Sequence, residues 1–260
     1  MTSTLNMLDE HRRILWALML RELATRYGRN NLGFLWVLAE PMVFGVGVLF
    51  MYRAIRGDTI SGVDVLPFIL TGYMPTILTR HIVLYSLNAV KINNSLLYHR
   101  SITTLDLFLA RIVLEFIGVT FGATFIYFGL VAFGFTGLPA NLGWVYEGWF
   151  ITAFVSSGMA LIVGGISEIF EVVERIVGIT LYILVPLSGT FFMADWLPPN
   201  VRHFALLLPF LNCSEMIRFG FFGTAVTPHF NANYTIGCAV VMNVVGLLLV
   251  RQVRDRAEIQ

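Results

Sequence analysis

The chain has 260 residues, of which 57% are hydrophobic and only 13% carry a charge, and its formal net charge at pH 7 is +1. Soluble domains carry roughly 25% charged residues, so this much apolar surface cannot be buried in one water-soluble core and must face lipid. The small net charge, with no basic run longer than Arg12-Arg13, gives no indication of nucleic acid binding.

The first predicted element, over residues 1–32, is an amphipathic helix that does not cross the membrane. Its apolar run Ile14–Leu20 is short and is followed by Arg21 and Glu22, not by the small residues of a signal-peptide cleavage site. Leucines fall near one face, arginines populate the rest, and Trp16 is an interface anchor. We expect this helix to lie along the membrane surface, with packing on another subunit as the alternative.

Six later segments are long and apolar enough to cross the hydrocarbon core, which needs about 20 helical residues. They are Gly33–Tyr52, Val65–Leu87, Leu105–Phe133, Gly148–Ile166, Ile176–Met193 and Ala232–Val250. Between the fifth and sixth, residues 194–231 hold two apolar stretches that are too short to cross alone and are divided by prolines. We predict two re-entrant short helices there, with a broken pair of spans as the alternative.

The predicted fold is therefore an all-α membrane protein. Residues 33–252 form a six-span transmembrane domain, and residues 253–260 form a cytoplasmic tail. The orientation follows from arginine and lysine, because eleven of them flank the span ends that include both termini and four flank the opposite ends. Cytoplasmic loops carry the excess of positive charge, so we expect both termini to lie in the cytoplasm.

The sequence offers no catalytic or metal-binding motif. No glycine-rich phosphate loop precedes Lys91, the chain's single lysine, and no HExxH, GxSxG or paired-aspartate pattern occurs. We expect no ATP hydrolysis and no cofactor on this chain. Cys213 and Cys238 are not spaced for a metal, and whether they pair stays open. A transporter is favoured, and an integral membrane enzyme that acts on lipids is one alternative.

Several polar and aromatic residues inside the predicted spans could line a path for a substrate. Glu40 lies about 10 Å into the first span, and an intramembrane carboxylate is a functional hypothesis by default, with a pair to an arginine of the same chain as the alternative. Arg80 could line the path or snorkel to cytoplasmic phosphates. Tyr73 and Tyr85 offer faces that stack on sugar rings, and ordinary packing is the alternative.

The loop over residues 88–104 joins the second and third spans on the predicted cytoplasmic side. A short helix capped by its asparagines and Ser95 would present an apolar patch beside two cationic side chains. Such a patch at the ends of two spans is a docking element for another protein, and a plain surface turn is the alternative. The predicted docking residues are Asn94, Ser95, Leu96, Leu97, Tyr98, His99 and Arg100.

Two charge patterns lie near this loop. Arg111 and Glu115 are four residues apart in the third span, which predicts an ion pair within one helix. Glu168, with Glu171 and Glu174, makes the connection after the fourth span acidic. We expect this connection to face a partner with basic residues.

Two stretches resemble the bacterial capsular polysaccharide export permeases of the KpsM/BexB type, within the ABC type-2 membrane superfamily. The first is RELATRYGRNNLGFLWVLAEP, over Arg21–Pro41, and the second is SLLYHRSITTLDLFLAR, over Ser95–Arg111. The residues in the family's order are Arg26, Tyr27, Gly28, Asn31, Leu32, Gly33, Trp36, Glu40 and Pro41, and then Tyr98, Arg100, Asp106 and Arg111. Asn30-Asn31 departs from the family's usual pattern without removing a capping side chain.

The resemblance implies a permease that exports lipid-linked polysaccharide across a bacterial inner membrane. It implies a homodimer, two copies of a cytoplasmic ATP-binding subunit that hold ATP and Mg, and an export adaptor reaching the outer membrane. Arg26 and Arg29, beside Tyr27 and Trp36, would receive phosphate or acidic sugars. Another lipid-linked glycan, such as O-antigen or teichoic acid, is the nearest alternative, and a gated channel or drug exporter is a further one.

Overall fold

The computed structural model describes residues 2–27, 33–93, 102–170 and 172–257. These residues form helices α1 (Thr2–Tyr27), α2 (Gly33–Arg56), α3 (Val65–Ser86), α4 (Ala89–Ile92), α5 (Thr104–Ala132), α6 (Leu142–Ile169), α7 (Val172–Leu187), α8 (Pro199–Ala205), α9 (Pro209–Phe222) and α10 (Ala232–Ala257). Strands β1 (Thr59–Ile60) and β2 (Val63–Asp64) form one antiparallel hairpin. Two single 3₁₀ turns cover Ala194–Trp196 and Gly223–Ala225.

The structure supports fewer spans by length and apolarity than the six predicted. Within the described ranges, Thr104–Ala132, Leu142–Ile169 and Ala232–Val253 are each long and apolar enough to cross a membrane. A fourth results if α8 and Pro209–Ala225, which meet at 106°, count as one span. The other three predicted spans lie in α2, α3 and α7, and of these α7 has only 16 residues. The number six stays a prediction.

The predicted fifth span runs too far along the chain. It ends at Met193 in the prediction, whereas α7 ends at Leu187. Pro186 in the last turn removes a backbone donor, and Gly189 has φ of 78°, which turns the chain away from the helix axis. Val172 is the first residue of α7, so the helix begins earlier than predicted and ends earlier as well.

α3 is the central helix of the bundle, and every residue from Val65 to Thr79 is buried. It contacts α2, α5, α6, α7 and α9, which explains why its sequence is apolar on all sides. Its hydroxyl groups are bonded inside the bundle, since Thr71 Oγ1 donates to Pro67 O at 2.8 Å and Thr79 shares a 2.8 Å hydrogen bond with Ser156 of α6. Polar groups at membrane depth need such partners.

Helices α6 and α10 pack closely because glycines stand at their contact. A Cβ at Gly158 would lie 2.7 Å from Met242 Cβ, and one at Gly246 would lie 3.1 Å from Ile162 N. Asn243 Nδ2 of α10 donates to Phe154 O of α6 at 2.7 Å. Small residues and interhelical hydrogen bonds are what hold helices together in lipid, where burial alone gives no driving force.

A fully buried arginine holds α9 against the rest of the bundle. Arg218 donates from Nη1 to Phe192 O at 2.6 Å and from Nη2 to Thr190 O at 3.1 Å. Its guanidinium carbon lies 4.2 Å from the centre of the Phe68 ring on α3. Glu215 Oε1 lies 3.7 Å from Arg218 Nη1, so the buried charge has a counter-ion. These contacts connect α9, α3 and the segment that follows α7.

Different secondary-structure elements lie at the two ends of the bundle. At the hairpin end, β1 and β2 follow α2, and Ala140 N, before α6, donates to Phe221 O of α9 at 3.1 Å. At the α4 end, α1 packs on the beginning of α5, with Leu18 and Met19 buried against Leu107. The predicted N-terminal helix is therefore present and covers α5 with part of its apolar face. Its position on a membrane surface stays a prediction.

Candidate functional site at the α4 end

The predicted docking loop leaves the bundle at the α4 end. Asn94–Arg100 lie outside the described residues, so their predicted role is untested. The structure describes both stems of this loop. One is α4, which follows α3 at Asn88, and the other is Ile102–Thr103, which leads into α5. The contacts of these stems show which helices are joined to the loop.

Arg111 of α5 closes the end of α3. Its Nη1 donates to Tyr85 O at 2.9 Å and to Leu87 O at 3.2 Å. Carbonyl groups in the last turn of a helix have no partner within the helix, and a cation is favourable there. Arg111 Nε also lies 3.1 Å from Glu22 Oε1 of α1. One guanidinium therefore connects α1, α3 and α5.

Glu115 has a partner on another helix, which its spacing from Arg111 does not predict. Its Oε2 lies 3.2 Å from His81 Nδ1 of α3. Arg111 is paired with Glu22, a residue distant in sequence. Arg111 and Glu115 are therefore each bonded to a residue of another helix, and the predicted pair within α5 stays a prediction.

Arg21 of α1 holds α4. Its Nη1 donates to Asn93 Oδ1 at 2.7 Å, and Asn93 Nδ2 donates to Ala89 O at 2.9 Å. A small cavity between α1, α4 and α5 has room for about one water molecule. It is lined by Leu18, Arg21, Glu22, Asn93, Leu107, Ala110 and Arg111. The α4 stem is thereby fixed to the N-terminal helix.

Glu168, in the last turn of α6, holds α4 from the opposite direction. Its Oε1 accepts a hydrogen bond from Val90 N at 2.7 Å, and its Oε2 accepts one from Lys91 N at 3.2 Å. Lys91 Nζ donates to Ser167 O at 3.4 Å. The carboxylate of Glu168 is thus turned toward α4, and the expectation that the acidic connection faces a basic partner is untested.

The second stem is fixed by a capping box at the start of α5. Asp106 N donates to Thr103 Oγ1 at 3.3 Å, and Thr103 N donates to Asp106 Oδ2 at 2.8 Å. This arrangement satisfies two backbone donors that a helix start leaves without partners. Asp106 Oδ1 also lies 3.8 Å from His11 Nδ1 of α1. Both stems therefore contact the N-terminal helix.

Two polar and aromatic pairs lie at the last two turns of α3, one with α2 and the other with α7. Tyr85 OH donates to Glu40 Oε2 of α2 at 3.2 Å. Arg80 Nη2 donates to Tyr182 OH of α7 at 2.8 Å, and its guanidinium carbon lies 4.5 Å from the centre of that ring. Trp36, one turn before Glu40, is 59% exposed. The structure therefore pairs Glu40 with Tyr85 and Arg80 with Tyr182.

The remaining predicted substrate residues belong to neither pair. Tyr73 is buried in the hydrophobic core. Arg26 and Tyr27 form the end of α1, but their side chains, like the whole of Arg29, lie outside the described part of the chain. The contact proposed for them with phosphate or acidic sugars is therefore untested.

No metal centre is found in the parts of the chain that the structure describes. They contain no group of three or more histidine, cysteine, aspartate or glutamate side chains that could hold a metal ion. Cys213 and Cys238 are both free thiols, and Cys213 is buried.

Comparison with known proteins supports the resemblance seen in the sequence. Residues 13–222 match the family model described as ABC-2 type transporter. The chain is 36% identical over 259 residues to the capsule polysaccharide export inner-membrane protein CtrC of Neisseria meningitidis serogroup B, covering 100% of this chain and 98% of that protein. It is 31% identical over 239 residues to BexB of Haemophilus influenzae, which carries the same description, covering 92% and 90%. It is 25% identical over 237 residues to the polysialic acid transport protein KpsM of Escherichia coli, covering 90% and 91%.

Proposed function

Because this chain belongs to the ABC-2 type transporter family, we propose that it is the permease subunit of a transporter that exports capsular polysaccharide across the bacterial inner membrane. The observation that carries the proposal is 36% identity over the whole chain to a capsule polysaccharide export inner-membrane protein. ATP and Mg belong to a separate subunit, since the sequence has no phosphate-binding loop.

In the proposed topology, residues 33–252 cross the membrane six times and the α4 end faces the cytoplasm. The N-terminal helix lies at the inner membrane surface, and residues 194–231 form a re-entrant segment on the outer side. The excess of arginine near the termini supports this orientation. The bend of 106° between α8 and the helix after it supports a segment that enters and leaves on one side.

The proposed ATPase contact is the loop over residues 88–104, with Asn94–Arg100 at its tip. Two copies of the ATP-binding subunit would each engage one permease. The stems of this loop support the proposal because they are joined to the helices by the Arg21–Asn93 hydrogen bond, the Glu168 carboxylate and the capping box of α5. Arg111 connects α1, α3 and α5. A displacement of the loop would therefore be transmitted to several helices together.

The proposed substrate path runs beside α3. A glycan with a lipid phosphate is anionic, so cations suit the point where it enters, and sparse charge further in avoids tight binding that would stall a long polymer. We assign the point where the lipid-linked glycan enters to Arg26, Tyr27 and Arg29. The wall of the path contains Trp36, Glu40, Arg80 and Tyr85. Tyr73 would support this wall from the core.

A homodimer is part of the proposal, with an adaptor that continues the route to the outer membrane. α7 presents an exposed apolar stripe at helical spacing beside Tyr182, formed by Val172, Ile176, Ile179 and Ile183. A second copy of the chain would cover this stripe and enclose the path, as in a two-fold dimer, the commonest form of closed homo-oligomer among soluble proteins.

The test uses a capsulated strain that lacks this chain. We expect that the wild-type gene restores surface polysaccharide and that the tagged protein co-purifies with an ATPase subunit. Deletion of Leu96–Arg100 should abolish that association without preventing membrane insertion, and Arg26→Ala with Arg29→Ala should lower export at normal protein levels. Surface capsule in the strain without this chain would refute the function.

The same experiment separates the alternatives. If the missing surface glycan is O-antigen or teichoic acid, the chain is still a transporter subunit, but its substrate is that glycan and not capsular polysaccharide. If the purified chain brings no ATPase and modifies lipids by itself, it is a membrane enzyme and the export proposal is wrong.

A further inference from the structure

We propose that Glu168 is a positioning residue that ties the ATPase-docking loop to α6, so that movement of the loop is passed to α6 as well as to α3 and α5. This inference rests on the proposed function, in which the loop over residues 88–104 contacts the ATPase subunit. It adds a second cytoplasmic connection to the machinery, at the end of the fourth predicted span.

The first step of the argument is that α4 lacks a cap of its own. Asn88 precedes α4 with a left-handed backbone, at φ of 53°. Its side chain makes no capping hydrogen bond, and among the described residues its buried Oδ1 has no hydrogen-bond partner. An N-cap side chain normally accepts the N–H groups of the second and third helical residues. In α4 these residues are Val90 and Lys91.

Glu168 takes over this role from another helix. Its two carboxylate oxygens accept the N–H groups of Val90 and Lys91 at 2.7 and 3.2 Å. Hydrogen bonds to an ionised acceptor are roughly twice as strong as neutral ones. A cap from the adjacent Asn88 would not have linked α4 to another helix. The cap from Glu168 makes this link, and it therefore couples α4 to α6.

The second step is that α6 transmits a displacement to the opposite end of the bundle. The helix runs unbroken from Leu142 to Ile169. Just before its start, Asn141 N donates to Gly220 O of α9 at 2.8 Å. A contiguous series of hydrogen-bonded contacts therefore leads from α4 through Glu168 and α6 to α9. Physical contiguity of this kind is what carries coupling between distant sites.

The test compares Glu168→Ala and Glu168→Gln with a matched control, Glu147→Ala, which removes an exposed carboxylate from the other end of α6. The first measurement is amide hydrogen exchange of the purified permease–ATPase complex in nanodiscs. Loss of the cap should speed exchange at residues 89–92 by about fivefold, the effect of losing a helix cap. Exchange in the middle of α6 and α10 should not change.

The second measurement is the amount of surface polysaccharide per ATP hydrolysed. We expect Glu168→Ala to lower this ratio by roughly 2- to 30-fold, the range of residues that modulate coupling between sites. The KM for ATP and the amount of bound ATPase should stay at wild-type values. Glu168→Gln keeps one acceptor oxygen and should fall between wild type and Glu168→Ala.

An unchanged ratio in both Glu168 variants would overturn the proposal, whatever the exchange rates show. So would an equal loss in Glu147→Ala, because the effect would then not depend on the carboxylate that caps α4. If Glu168→Ala fails to accumulate in the membrane, Glu168→Gln decides the result alone. A wild-type chain that binds no ATPase would refute the proposed function itself, and the wild-type sample in each assay detects that case.

Discussion

The carboxylate of Glu22 lies 3.1 Å from the guanidinium of Arg111, and only 13% and 5% of these side chains are exposed. The pair joins the N-terminal helix to α5. Arg111 also donates hydrogen bonds to Tyr85 O and Leu87 O at the end of α3. The guanidinium of this α5 residue is therefore held by both α1 and α3. The N-terminal helix is thereby an integral part of the bundle at the α4 end.

Glu22→Gln should destabilise the protein by about 3 kcal/mol, because removing one partner of a buried pair leaves an uncompensated charge. The expected result is a lower midpoint of thermal unfolding in detergent. Glu147→Gln, which removes an exposed carboxylate from α6, should leave the midpoint close to wild type. Equal shifts in the two variants would show that the Glu22–Arg111 pair contributes nothing specific.

Gly72→Ala should destabilise the contact between α3 and α9. A Cβ at this position would overlap Arg218 Nη2 and lie 2.7 Å from Thr190 O. Overpacking of this kind costs roughly 1–3 kcal/mol. Gly47→Ala is the matched control, because a Cβ there meets nothing within 4 Å and alanine favours a helix by about 0.5–1 kcal/mol. The midpoint of thermal unfolding should therefore fall in Gly72→Ala and rise in Gly47→Ala. An unchanged midpoint in Gly72→Ala would contradict the packing.

Arg80→Ala should lower polysaccharide export roughly tenfold at normal protein levels, the effect of one lost charge-assisted hydrogen bond to an anionic group. Arg80→Lys should keep part of the export, since lysine retains the charge but cannot stack on the Tyr182 ring in the same way. Arg251→Ala, which removes an exposed cation from α10, is the control. Unchanged export in Arg80→Ala would remove this residue from the proposed path.

Ile179→Cys should cross-link between two copies of the chain, because Ile179 lies on the exposed stripe of α7 and is 64% exposed. Val244→Cys, on the exposed face of α10 and 51% exposed, should not cross-link, because that face would contact lipid. Both variants are compared in a background with Cys238→Ser, using a short thiol reagent and gel electrophoresis. A cross-link at Val244 without one at Ile179 would reverse the assignment of the interface.

Helix positions are largely predictable from the sequence where local signals are strong. The predicted span Leu105–Phe133 nearly coincides with α5, because Thr103 and Asp106 form a capping box at its start and Gly134, with φ of 73°, follows its end. The fifth span is displaced because apolar residues continue after the helix has ended. Hydropathy does not report where the backbone turns. The hairpin of β1 and β2 is too short for any periodicity to indicate it.

The partners at the candidate site are less predictable, because they depend on which helices lie together. The spacing of Arg111 and Glu115 favours a pair within one helix, yet tertiary packing offers each of them a partner on another helix. Glu168 is an acidic residue in an apparent loop by sequence, and its position over α4 follows only from the packing of α6. The family resemblance, in contrast, is legible in two stretches of sequence and is confirmed by the match over residues 13–222.

The close contact of α6 and α10 has a consequence for any transport cycle. Sliding one of these helices along the other would break the hydrogen bond from Asn243 to Phe154 O, and hydrocarbon offers no replacement. The glycines at this contact bring the two backbones close together and leave little free space between them. The two helices would thus move as one rigid unit, so a displacement that reaches α6 also carries α10 with it.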